Sequence, residues 1–93
     1  MQDTKVTAEY HLSIAPNPFH GATHISYSLP RAGNVSVKLC DVTGTLVTVL
    51  ANGYSEAGVN HTIAVDASKL ARGIYILKLA SDSYNTTAKL ILQ

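Results

Sequence analysis

Gly73-Ile-Tyr-Ile-Leu-Lys-Leu79 decides how this chain is read. Side chains alternate faces along a strand, so Tyr75, Leu77 and Leu79 share one side of the pleat. Ile74, Ile76 and Lys78 share the other. A strand apolar on one face and mixed on the other belongs in an antiparallel sheet with one buried face. Ser81-Asp82-Ser83 then supplies a polar turn. Tyr84 to Leu92 returns as a partner strand that carries Lys89-Leu90-Ile91. A hairpin of this kind needs a facing sheet, and the preceding residues read as that sheet.

Working back toward the N-terminus, Asp66 to Leu70 has the composition of one short helical turn, with Asp66 or Ser68 as its cap. His61 to Val65 reads as a strand with Ile63 and Val65 inward. Asn52-Gly53 and Ala57-Gly58 bracket a loop by their turn chemistry. Leu46 to Leu50 is a strand, joined through Asp41-Val42-Thr43-Gly44 to Val35 to Cys40, with Gly44 providing positive φ. Val35, Val37 and Leu39 alternate inward against Ser36 and Lys38. His24 to Leu29 alternates as well, with Ile25, Tyr27 and Leu29 on one face. Tyr10 to Ile14 is the first strand, and residues 1–9 are a polar linker ahead of a single domain at 10–93. Between them, Pro16 and Pro18 remove two backbone donors and bias their neighbours to extended shapes. Ala15-Pro-Asn-Pro-Phe19 is therefore a rigid bend or a crossing at a sheet edge, with Phe19 as a buried plug.

These are seven short strands spaced at about ten residues with turn signals between them, the pattern of an all-β, immunoglobulin-like antiparallel sandwich. Tyr75 lies where a tyrosine corner would be; it reads equally as an ordinary core aromatic. The composition agrees with a β-rich domain: 46% of the 93 residues are hydrophobic and only 14% charged. The net charge of +1 gives no electrostatic reason for binding nucleic acid or an anionic membrane. No apolar run reaches the roughly 18 residues that a spanning helix needs.

The chemistry-bearing residues are sparse. Cys40 is the one cysteine, so it has no disulfide partner in the chain and reads as a small packed residue. His11, His20, His24 and His61 fall in separate segments without metal-ligand spacing. Asp41, Asp66 and Asp82 each sit at a turn, where aspartate bonds its own backbone, and no calcium-loop spacing occurs. No serine stands in a nucleophile elbow. The residues therefore read as a non-enzyme without cofactor or metal. Asn34, Asn60 and Asn85 open glycosylation sequons, which chance explains in a chain this rich in Asn, Ser and Thr. Tyr10, Tyr54 and Tyr84 could stack on a carbohydrate, but scattered surface aromatics are ordinary.

The ordered set Ala15-Pro-Asn-Pro-Phe19, Ile25-Ser-Tyr-Ser-Leu-Pro30, Val35-Ser-Val-Lys-Leu-Cys-Asp41-Val-Thr-Gly44, Asp66-Ala-Ser-Lys-Leu-Ala-Arg-Gly73-Ile-Tyr75 and Lys89-Leu-Ile-Leu92 resembles the type A C-terminal sorting domain of the type IX secretion system. Cys40 departs from it, where an aromatic is commoner, and so does Thr45, where Lys or Arg is frequent. The resemblance implies the last module of a longer bacterial protein, recognised in the periplasm by the outer-membrane translocon. It also implies removal by a sortase-like protease, with attachment of the cargo to lipopolysaccharide as a possible next step, and release or retention of the cargo at the cell surface. Pro16, Asn17, Pro18, Lys89, Leu90 and Ile91 are the candidate partner-recognition residues. Asp41, Gly44, Asp66, Gly73 and Tyr75 are the candidate fold-defining ones. Lys89 also has a simpler reading, a charge that protects a strand from unwanted pairing. The competing function is a non-catalytic accessory module, carbohydrate-binding or a spacer.

Overall fold

A computed structural model describes residues 11–82 and 85–93. The expected linker, Tyr10, Ser83 of the expected turn and Tyr84 of the expected last strand lie outside the described residues. The strands are β1 His11–Ala15, β2 Ala22–Ser28, β3 Gly33–Asp41, β4 Leu46–Ser55, β5 His61–Asp66, β6 Gly73–Ser81 and β7 Asn85–Leu92. They form two antiparallel sheets, ordered β1-β2-β5 and β4-β3-β6-β7. The expected seven-stranded sandwich is what the chain adopts.

Alternation puts one face of each strand between the sheets. Ile25, Tyr27 and Leu29 from β2 and its end meet Val35, Val37 and Leu39 of β3, Tyr75, Leu77 and Leu79 of β6, and Leu90 and Leu92 of β7 in one core. Burying such side chains stabilises by about 1.5–3 kcal/mol each, so this shared face is the main source of the fold's stability. Thr23 continues the inward row of β2 and is fully buried. Its hydroxyl donates to the Pro16 carbonyl at 2.6 Å, which satisfies it.

One expectation fails. Asn52-Gly53 is not a loop; it lies inside β4, opposite Ser36 and Val35. The local turn preference yields to ladder pairing with β3, and β4 is an edge strand of its sheet. An edge strand tolerates a glycine more readily than a central one.

The two sheets are joined along one side by the Pro-Asn-Pro segment. Phe19 leaves β1 behind, forms a parallel bridge with Leu92 and is almost wholly buried. Its N–H donates to the Ile91 carbonyl at 2.9 Å, and Gln93 N–H donates back to the Phe19 carbonyl at 2.8 Å. Pro16 and Pro18, both following cis peptide bonds, need no ladder donors here. This is the sheet-edge crossing expected from the prolines, with Phe19 as its plug.

Candidate recognition site

The candidate fold-defining residues lie at turns or at and near the entry to β6. The Asp41 Oδ1 accepts from Thr43 Oγ1 at 2.6 Å, Thr43 N at 2.9 Å and Thr45 N at 3.0 Å. The Thr43 hydroxyl, then these backbone donors, hold the Asp41 carboxyl below its ordinary range despite some desolvation. Gly44 completes the turn at φ +92°. Asp66, rather than Ser68, caps the 3₁₀ turn Ala67–Lys69 by accepting from Ser68 N at 2.9 Å. That bond is also the chief reason its carboxyl is held low. Tyr75 is both a core aromatic and a corner: its ring is buried, and its hydroxyl donates to the Ala71 carbonyl four residues upstream. That backward bond is the geometry of a tyrosine corner.

The two groups of candidate recognition residues, distant in sequence, meet in space. Asn17 Nδ2 donates to the Lys89 carbonyl at 2.7 Å. Ile91 N–H donates to Asn17 Oδ1 at 3.0 Å. One carboxamide thus pairs with two successive outward-facing peptide groups of β7, as a neighbouring strand would. Phe19 continues the same edge through Ile91 and Gln93. The outer edge of the last ribbon is therefore not bare along its length: its final residues are occupied by the chain's own crossing. What stays open there is the outward face. Pro16, Asn17, Pro18 and Lys89 are exposed, Ile91 is half-buried, and Leu90 sits at 0% exposure in the core. The Leu90 side chain can act on a partner of the folded domain only through the strand it anchors.

His61 stacks on Tyr27 with centroids 5.1 Å apart and shares a 3.0 Å hydrogen bond with Ser55. His11, His20 and His24 are exposed and separate. Among the described residues no group of three or more His, Cys, Asp or Glu is placed to hold a metal. A hollow of about 410 Å³ between the Asp41 turn and Lys69–Tyr75 is lined by no Cys, His or Ser. Its Asp41 and Tyr75 are already committed to the bonds above. Cys40 is free and only 4% exposed, packed as a small residue. Tyr54 is the one described tyrosine of the three carbohydrate candidates, and it stands 69% exposed on β4.

Asn17 could be singled out in the sequence, but its bidentate contact with β7 could not. Thr23 was missed; its only signal is a polar residue in phase with Ile25 and Tyr27. No described helix is long and apolar enough to cross a membrane.

Residues 13–93 match the family described as secretion system C-terminal sorting domain. No curated protein and no solved structure matches the chain. The match covers nearly all of the sandwich, from β1 through β7, and takes in the Pro-Asn-Pro crossing and the Lys89–Ile91 edge that it clamps. The chain belongs to the family of C-terminal sorting domains of the type IX secretion system.

Proposed function

We propose that this domain is a non-catalytic address read as a folded object in the periplasm. On this reading the translocon engages the surface where Pro16-Asn17-Pro18 and Lys89–Ile91 adjoin, and then passes an upstream cargo through the outer membrane. A sortase-like protease removes the domain afterwards, and the cargo is released or attached to the surface. The observation that carries the proposal is the Asn17 clamp. It makes one surface out of two motifs 72 residues apart, so the address exists only when the sandwich is folded.

The test is a reporter fused upstream of the domain in a bacterium that has the type IX system. The parent fusion is expected in the medium or on the surface. Lys89→Ala, or a folded tag placed after Gln93, is expected to leave the reporter in the periplasm. Lys89 is an exposed strand residue, so its truncation costs well under about 1 kcal/mol, and lost export cannot be ascribed to unfolding. Undiminished export after both changes would refute the proposal.

A further inference from the structure

The outward face of the four-stranded sheet has a composition that the fold does not need. Along the register, Lys38 on β3 stands directly opposite Lys78 on β6. Ile76 pairs with Lys89, which puts Lys89 diagonal to Lys78 on the same face. No Asp or Glu occupies any outward position of these four strands. Like charges placed directly across a ladder are destabilising. A lysine on an edge strand can be explained as protection against stray pairing, which would serve for Lys89. It does not serve for Lys38 and Lys78, because β3 and β6 are the two central strands.

Beside the lysines lies an apolar area. Cys40 pairs with Leu46 on one side and Ile76 on the other, and Ile74 pairs with Ile91. Leu46 is 51% exposed, Val49 46% and Ile74 43%. These positions are neighbours along the register on one face, and contiguous exposed apolar area of this kind is where interaction sites are sought.

We infer that this face, built on Lys38, Lys78 and Lys89 around Leu46, Ile74 and Ile76, docks an acidic protein surface with an apolar centre. The inference rests on the sorting-signal reading and names the face the export machinery would hold. Charge complementarity selects the partner: three lysines without one acid attract carboxylates, and wrong partners of like charge are rejected. A protein fits better than a membrane, since lipid-reading clusters carry about 4–8 basic residues. The face is also a sheet rather than an amphipathic helix that could sink into headgroups.

The experiment uses the same reporter fusion. Lys38→Glu alone turns the Lys38–Lys78 repulsion into an attraction, so its melting temperature is expected at or above the parent's. Its export is nonetheless expected to fall at least tenfold, and Lys38→Glu with Lys78→Glu further. Lys38→Arg with Lys78→Arg is expected to export like the parent. Leu46→Thr with Ile74→Thr places strand-favouring β-branched residues at both positions and is expected to lose export through the apolar half of the face. Parent-level export of the Glu variants overturns the docking face while the sorting reading stands. A parent fusion that is not exported overturns the reading itself. Sedimentation of the domain with phosphatidylglycerol vesicles, lost in the double Glu variant, would make the occupant a membrane and overturn the protein partner.

Discussion

Asn17 donates to the carbonyl of Lys89 at 2.7 Å across 72 residues of sequence. The proline crossing and the last strand are therefore one structural unit. A side-chain amide presents a donor and an acceptor side by side, as a backbone peptide does. Asn17 uses both to continue the sheet by one unit beyond β7. A strand edge left open is a template for unwanted pairing; here a single residue closes its last part without spending a strand.

Asn17→Ala should remove both bonds and cost about 1–2 kcal/mol, at the usual net worth of a hydrogen bond. The specific readout is amide exchange: Ile91 N–H is expected to lose protection while the amides of β3 keep theirs. Asn17→Asp retains the acceptor for Ile91 but sets a carboxylate against the Lys89 carbonyl, so it should lie close to Ala in stability. Unaltered Ile91 exchange in Asn17→Ala would show that the clamp does not hold the strand in solution.

Core and corner should separate by size. Leu77, fully buried, is expected to cost about 2–5 kcal/mol on truncation to Ala. Tyr75→Phe keeps the ring and loses only the bond to the Ala71 carbonyl, so about 0.5–1.5 kcal/mol is expected. Urea unfolding of both variants checks the ratio. Loss of export in Leu77→Ala would report an unfolded address, and this variant cannot map recognition.

Gly44 and Gly73 adopt φ of +92° and +149°, and a Cβ at either would meet no heavy atom within 4 Å. Substitution by Ala therefore tests backbone strain without a clash, at about 1–3 kcal/mol each. The penalties should add in a double variant, since the residues serve separate features, a hairpin turn and a strand entry. A neutral Gly73→Ala melting curve would contradict the conformation at that strand entry.

Asp41 should make stability depend on acid. Its folded carboxyl is held below the ordinary 3.8, first by the Thr43 hydroxyl, so the unfolded chain binds its proton at higher pH. Its contribution is full above the unfolded value and fades as pH falls through the folded one. The stability gap between the parent and Asp41→Ala is accordingly expected to be larger at pH 6 than at pH 2. Asp66, held low chiefly by Ser68 N–H, should show the same sign. Thermal melts across this range check both, and a gap that widens toward acid would reverse the assignment.

Much of this protein is determined by residue order alone. Period-two alternation set which side of each strand is buried, because that depends only on the pleat and on the transfer of apolar side chains out of water. The same local physics identified the Asp41-to-Gly44 hairpin, the Asp66 turn and the inability of Pro16 and Pro18 to join a ladder. Strand pairing is different, since it depends on residues far away in the chain. Asn52-Gly53 carries turn chemistry, yet its backbone bonds are better satisfied opposite Val35 and Ser36, and no local signal announces that. Only the assembled sheets decided that Asn17 would meet Lys89 and that Lys38 would stand across from Lys78. Each of those contacts is a matter of register, and register is settled when the buried faces of both sheets are packed together.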